Sequence, residues 1–102
     1  MNINWETLER LMFSERMMRL ADSRPRAAVL VIRIAMIGLR NHIPDGGIIR
    51  DISARIPIGL MVPIGRTRQT VIGSLKEARA AGVLTWEQRF DGRGHVYTVH
   101  VD

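Results

Sequence analysis

The chain contains no cysteine and only one lysine among its 102 residues, and aromatic residues make up 5% of it. Without cysteine, disulfide bonds and thiolate metal sites are excluded. The longest apolar stretch, residues 27–39, is interrupted by Arg33 and is shorter than the roughly 20 residues that a bilayer requires. No basic segment leads into an apolar one at the N-terminus. We therefore expect no membrane contact and no signal peptide, and we predict a cytoplasmic location.

Acidic residues are also fewer than basic ones. The chain has 10 acidic and 15 basic residues, so its formal net charge is +5. Arginine supplies every basic residue except Lys76. A GC-rich genome would favour arginine in this way. Arginine is also the residue that pairs best with phosphate and guanine, so the charge is equally compatible with a polyanionic partner.

Hydrophobic residues make up 46% of the sequence, which is enough for a folded core. A chain of 102 residues accommodates one compact domain. Proline at position 25 interrupts the helical pattern of the first part of the chain, because it fixes its own backbone dihedral. We therefore expect a helical extension over residues 1–24 and a core over residues 25–102.

Helical periodicity dominates the first 42 residues. The apolar residues of a first helix fall on one face: Trp5, Leu8, Leu11 and Met12. Ser14 precedes Met17, Met18 and Ala21, which predicts a capped second short helix. A third helix over Arg26–His42 is apolar on nearly every side, so most of its surface must be buried against other elements. The first two helices can supply part of that cover, and a second copy of the chain can supply the rest.

The middle of the chain is rich in turn residues. Residues 44–47 read Pro-Asp-Gly-Gly and predict a turn. A very short strand is expected over Gly47–Ile49. Asp51 is then in a position to cap a short helix over Ile52–Ile56, which Pro57 ends. The following residues, 57–64, are predicted to form an apolar loop.

The clearest helix runs over about residues 67–81. Thr67 is a suitable N-cap because its hydroxyl can accept from an unpaired amide of the first turn. Val71, Leu75 and Ala78 form a buried stripe at helical spacing. Gly82 is expected to end the helix in a left-handed conformation.

A hairpin pattern follows this helix. The first strand is predicted over Val83–Phe90 and the return strand over His95–Val101, joined by Asp91-Gly92-Arg93-Gly94. We expect Leu84, Trp86 and Phe90 on one side of the first strand. We expect Tyr97, Val99 and Val101 on one side of the return strand. The sequence ends after the second strand, so no C-terminal dimerisation helix is expected.

The order of these elements is that of a winged helix-turn-helix, a mainly α fold of the α+β class with a small β-hairpin wing. The helix and its flanks resemble the winged-helix pattern in the residues RTRQTVIGSLKEARAAGVL. The N-terminal domain of phage replisome-organiser and related primosomal proteins is similar to the stretch LMFSERMMRLADSRPRAAVLVIRIAMIGLRNHIPDGGII. Together the two resemblances cover about residues 11–84. They imply a DNA-binding domain of replication initiation, or a small transcriptional regulator.

The chain departs from the pattern in one place. The turn between the second and third helices of a helix-turn-helix normally takes about 3–4 residues, whereas residues 57–66 intervene here. Either this turn carries an insertion, or the second helix starts later than Ile52.

Double-stranded DNA is the predicted partner. Arginine can bind guanine, glutamine can bind adenine, and threonine suits a phosphate or a thymine methyl. A basic residue at a wing tip often contacts the minor groove or phosphates. The alternative for each residue is an ordinary solvated surface. The candidate DNA-binding residues are Arg66, Thr67, Arg68, Gln69, Thr70, Gly73 and Lys76 on the helix, and Arg89, Arg93 and His95 on the hairpin.

The sequence contains no pattern typical of catalysis or of cofactor binding. Its three histidines, His42, His95 and His100, lack metal-ligand spacing and are expected to be surface residues. We therefore predict a protein that is not an enzyme and holds no metal or cofactor. A homodimer and replication proteins are the other expected partners. The competing hypothesis is a winged helix that docks another protein through its hairpin or through Ile58–Ile64.

Overall fold

The computed structural model describes residues 3–40, 49–62, 67–89 and 94–101. Within these ranges the chain forms four α-helices, one short 3-10 helix over Ile58–Leu60 and a three-stranded antiparallel sheet. The expected α+β class is therefore confirmed. The helices are α1 (Trp5–Met12), α2 (Glu15–Ser23), α3 (Pro25–Arg40) and α4 (Arg68–Ala80), and the strands are β1 (Asp51–Ile56), β2 (Leu84–Glu87) and β3 (His95–His100).

The two N-terminal helices begin at capping side chains. The Asn4 side chain accepts from the Thr7 amide at 3.0 Å, and Ser14 caps α2 as predicted by accepting from the Met17 amide. Leu8 and Leu11 of α1 are buried, as expected. The predicted face is wrong for Trp5 and Met12, which are 65% and 43% exposed because α1 turns only a narrow stripe toward the core. In α2, Met17 is buried, whereas Met18 and Ala21 are exposed.

Helix α3 lies at the centre of the molecule and packs against α1, α2, α4, β1 and β3. Its predicted range is confirmed up to Arg40, and residues 41 and 42 lie outside the described part. A Cβ at Gly38 would lie 2.5 Å from the Ile52 side chain and 2.9 Å from the Ser53 carbonyl oxygen, so glycine allows helix and strand to approach closely. Most of the cover that α3 needs therefore comes from its own chain, although Val29 and Ile37 remain partly exposed.

The predicted helix over Ile52–Ile56 is wrong, because these residues belong to strand β1. Ile52, Ala54 and Ile56 are buried, and Ser53 and Arg55 between them are exposed, which is the two-residue alternation of a strand. Asp51 is the first residue of the strand and does not cap a helix. Of the strand expected at Gly47–Ile49, residues 47 and 48 lie outside the described part, and Ile49 precedes β1.

The sheet has the strand order β1–β3–β2, so the last strand of the chain lies in the middle. Asp51 pairs with His100 and Ile56 with His95, while Leu84 pairs with Val99 on the other side of β3. The hairpin is thus confirmed, although β2 ends at Glu87 and residues 90–93 are outside the described part. Tyr97, Val99 and Val101 are buried on the core side, as predicted.

Residues 57–62 include the short 3-10 helix, which replaces part of the predicted apolar loop. Met61 packs into the core, whereas Leu60 is 68% exposed. Residues 63 and 64 of the loop are outside the described residues.

Helix α4 confirms the predicted start, stripe and stop. The Thr67 hydroxyl accepts from the Thr70 amide at 3.1 Å. Val71, Leu75 and Ala78 are buried. Gly82 has a φ of 80°, and its amide donates to the Arg79 carbonyl at 3.0 Å, which closes the C-terminal turn as a left-handed glycine commonly does.

Truncation of Leu75 tests the assignment of the buried face of α4. Leu75 is 4% exposed, so Leu75→Ala is expected to lower the free energy of unfolding by about 2–5 kcal/mol, as a large-to-small core change does. Chemical denaturation measures the difference. Lys76→Ala, at the exposed neighbouring position, is the control and should be close to neutral. Equal stability of Leu75→Ala and the parent would show that the face is wrongly assigned.

Ionisation of Tyr97 is expected to lower the stability of the fold at alkaline pH. Burial raises the pKa of its phenol, because the charged form is poorly solvated there. The folded state therefore binds the phenol proton more tightly, so the contribution of Tyr97 to the free energy of unfolding should be constant below about pH 10 and fall above it. Tyr97→Phe should remove this part of the fall. Since the chain has one tyrosine, phenolate absorbance reports on it directly, and titration at the ordinary pKa in the folded protein would contradict the expectation.

Candidate nucleic-acid interface

The first turn of α4 is fixed by two threonine hydroxyls. Thr67 accepts from the Thr70 amide, and the two hydroxyl oxygens lie 2.8 Å apart. Both hydroxyls thus have a partner within the chain. Thr67 and Thr70 were predicted to contact DNA. In the structure their hydroxyls hold the first turn of the helix.

The side of α4 opposite its buried stripe, called here the outward face, carries Gln69, Ile72, Gly73 and Lys76. Gln69 and Lys76 are exposed, and the Lys76 ammonium has no ion-pair partner among the residues that the structure describes. A Cβ at Gly73 would meet nothing within 4 Å, so the surface there is open. The outward face therefore combines donors and acceptors with a place where another molecule can come close to the helix backbone.

One edge of the outward face borders a groove of about 540 Å³, called here the basic groove. It brings together three of the predicted residues from three separate segments: Arg68 from α4, Arg89 from the residues after β2, and His95 from the start of β3. Pro57, Ile58 and Gly59 form its opposite wall. Arg68 has no salt-bridge partner within the described ranges, whereas Arg89 pairs with Glu87 at 3.2 Å.

The base of the hairpin is held firmly beside this groove. Gly94 has a φ of 95°, and a Cβ there would lie 2.5 Å from the Ile56 carbonyl carbon and oxygen. Only glycine therefore allows the hairpin to approach the end of β1. The Arg89 amide donates to Nδ1 of His95 at 3.0 Å. Because Nδ1 accepts, the neutral His95 ring carries its proton on Nε2, which is then available as a donor.

The other edge of the outward face borders the start of α3. Thr70 and Gly73 line a second depression of about 440 Å³ together with Arg24 and Arg26. Arg24 forms a salt bridge with Glu77 of α4. Arg24 and Arg26 were not among the predicted residues, because nothing in the local sequence indicates that the α2–α3 junction lies against α4.

Arg79 is another residue that the sequence did not single out. Its guanidinium carbon lies 4.2 Å from the centre of the Trp86 ring, a cation–π contact between α4 and β2. The Trp86 ring in turn lies 6.1 Å from that of Tyr97. This stack joins the last turn of α4 to the hairpin.

The candidate DNA-binding residues thus fall into groups that lie in different places. Arg68, Arg89 and His95 share the basic groove, Gln69 and Lys76 are on the outward face, and Thr70 and Gly73 border α3. Arg66 and Arg93 lie outside the described residues. His95 and His100 lie at the surface as expected, although each is half-buried and hydrogen-bonded, and His42 lies outside the described part.

Within the described ranges, no helix is long and apolar enough to cross a membrane. The same residues include no group of three histidine or acidic side chains arranged to hold a metal ion. Comparison of the chain with protein-family models, with curated proteins and with solved structures gave no match.

The hydrogen bonds predict opposite tautomers for the two described histidines. Neutral His95 should carry its proton on Nε2, because Nδ1 accepts from the Arg89 amide. Neutral His100 should carry it on Nδ1, which lies 2.8 Å from the Asp51 carboxylate. Long-range proton–nitrogen NMR correlations distinguish the two forms, and His95→Gln assigns the signals. The same tautomer in both rings would show that the base of the hairpin is arranged differently.

Proposed function

We propose that this chain is a double-stranded DNA-binding domain of the winged helix-turn-helix type, with α4 as the recognition helix and the β2–β3 hairpin as the wing. The observation that carries the proposal is the convergence of Arg68, Arg89 and His95 in the basic groove beside the outward face. The packing of α4 against β2 supports it, because it sets the hairpin next to the helix. Since Ile52–Ile56 form strand β1, a second helix of this motif would start after them.

Base contacts would come from the outward face. An α-helix fits the major groove, where glutamine can bind adenine through two hydrogen bonds and a basic side chain can bind guanine. Gln69 is exposed in the first turn of α4, the part that usually points at base edges, and Lys76 is exposed two turns further on. Gly73 lies between them and leaves room for a close approach.

Phosphate contacts would come from the two edges of the outward face. Arg68, Arg89 and the Nε2 proton of His95 face one DNA strand from the basic groove. Arg26 and the residues around it lie at the other edge, next to Thr70. Basic residues on both sides of a helix inserted into the major groove meet both phosphate backbones. The net charge of +5 adds a general attraction to DNA.

The resemblance to replisome-organiser proteins favours a role in phage-type replication initiation, in which the domain binds an origin and meets other replication proteins. A small transcriptional regulator would use the same surface. Binding as a homodimer to two half-sites is part of this proposal. The partly exposed Val29 and Ile37 of α3 and the exposed apolar residues of the first two helices provide the surface for it.

A protein-docking module is the second candidate function. It is favoured by Leu60, which is 68% exposed, and by Ile72, which is 38% exposed. Both lie near the basic groove, since Ile72 lines it and Leu60 follows its wall at Gly59. Apolar residues in this place are more typical of a protein interface than of a DNA contact.

Titration with duplex DNA at several salt concentrations tests the first candidate. With about four to six phosphate contacts, the log–log slope of affinity against salt should be about −4 to −5. Arg68→Gln should make the slope shallower by about one unit. Arg33→Gln removes the same charge from an exposed position of α3 that borders neither depression, and it is the matched control. No binding at low salt, or equal loss in both variants, would favour protein docking.

The same titration separates base contacts from phosphate contacts. Gln69→Ala should cost about 1–3 kcal/mol on the preferred sequence and little on random duplex, because a base contact matters only where the right base is present. Arg68→Gln should instead weaken both. If Gln69→Ala weakens both duplexes alike, Gln69 does not contact bases.

A further inference from the structure

A third depression, of about 640 Å³, lies at the opposite end of α4 from the basic groove. It is called here the arginine cleft. Helix α4 has 13 residues, so its two ends are about 20 Å apart. The cleft is therefore separate from the surface assigned to DNA. Its lining residues come from α2, the α4–β2 turn and all three strands or their flanks: Arg16, Arg50, Asp51, Gly82, Thr85 and His100.

His100 joins the three strands on this side of the sheet. Its Nδ1 lies 2.8 Å from the Asp51 carboxylate of β1, and its Nε2 lies 2.9 Å from the Thr85 hydroxyl of β2. In the neutral ring, Nδ1 donates to Asp51 and Nε2 accepts from Thr85. In the protonated ring both nitrogens donate, which frees the Thr85 hydroxyl proton for another acceptor.

Two guanidinium groups border the same cleft. Nη1 of Arg16 donates to the Gly82 carbonyl at 3.2 Å, which holds this side chain against the end of α4. The Arg50 carbonyl accepts from the Val101 amide at 2.9 Å, which holds residue 50 beside β3. The Arg50 guanidinium has no hydrogen-bond or ion-pair partner among the described residues. Among the residues that the structure describes, Asp51 is the one carboxylate that lines the cleft, and it is already bonded to His100.

We propose that the arginine cleft binds the phosphate group of a small phosphorylated molecule. Two guanidinium groups and a hydroxyl offer more donors than the two oxygens of a carboxylate can accept, whereas a phosphate group has three strong acceptor oxygens. The remaining volume of the cleft accommodates the rest of the molecule. The proposal does not depend on DNA binding, because none of the described residues assigned to DNA lines this cleft.

Protonation of His100 should favour the bound state. Its ring is bonded to the Asp51 carboxylate and the Thr85 hydroxyl, and the charged residues Arg16 and Arg50 line the same cleft. A bound dianion offsets the two arginine charges and accepts a hydrogen bond from the Thr85 hydroxyl, which no longer donates to the protonated ring. Affinity for an anion whose own charge does not change should therefore rise as the pH falls.

Titration of the whole chain with sulfate, followed by amide NMR, tests the proposal, because sulfate is tetrahedral and keeps its charge near neutral pH. Saturable shifts at Gly82, Thr85 and His100 are expected, with tighter binding at lower pH. Arg50→Gln should weaken binding on the order of tenfold, as the loss of a charged hydrogen bond does. Arg33→Gln, which removes the same charge elsewhere, should change it little. His100→Gln should abolish the dependence on pH.

Four results would overturn the proposal. Unsaturable shifts, or equal weakening by Arg50→Gln and Arg33→Gln, would show only a general attraction to a basic surface. Tighter binding of benzoate than of phenyl phosphate would exclude a phosphate site. Competition between sulfate and duplex DNA would assign these contacts to the nucleic-acid backbone and not to a small molecule. The amide spectrum of each variant tests whether the variant is folded. Because Arg50 is exposed, we expect Arg50→Gln to fold as the parent does.

Discussion

The pairing of β3 with both other strands is the constraint on which the rest of the structure depends. The last described strand lies between β1 and β2, so it joins a segment 39 to 49 positions earlier to its own hairpin neighbour. The Ile56–His95 end of this pairing brings the base of the hairpin against Pro57 and builds the basic groove. The Asp51–His100 end builds the arginine cleft. One register of one strand thus determines both sites.

Features that depend on neighbouring residues could be predicted from the sequence. The Thr67 cap, the buried stripe of α4 and the turn at Gly82 all arise from contacts within about four positions. The hairpin was predictable for the same reason, since its strands are close in sequence and joined by glycines. Arg68, Gln69 and Lys76 could be assigned to exposed positions because the helical period and the buried stripe leave no other place for them.

Features that depend on distant pairing could not be predicted. The segment Asp51–Ile56 has an acidic residue at its start and apolar residues at spacings compatible with a short helix, and only its pairing with β3 selects the strand. The exposure of Trp5 and Met12 depends on how α1 is set against α3. The contacts of Arg79 with Trp86 and of His100 with Asp51 and Thr85 join elements whose proximity no local pattern shows.

Because the chain has only one lysine, its single side-chain amine lies on the outward face of α4. Lys76 is the only lysine in the chain, and it is exposed on that face. Apart from a chain terminus, every amine-directed reaction is therefore confined to this one position, whether the reagent is an acylating dye, a crosslinker or an acetyl donor. Acetylation there would remove a full positive charge from the helix. A molecule that covers the face would shield the amine, so the extent of labelling measures its occupancy directly.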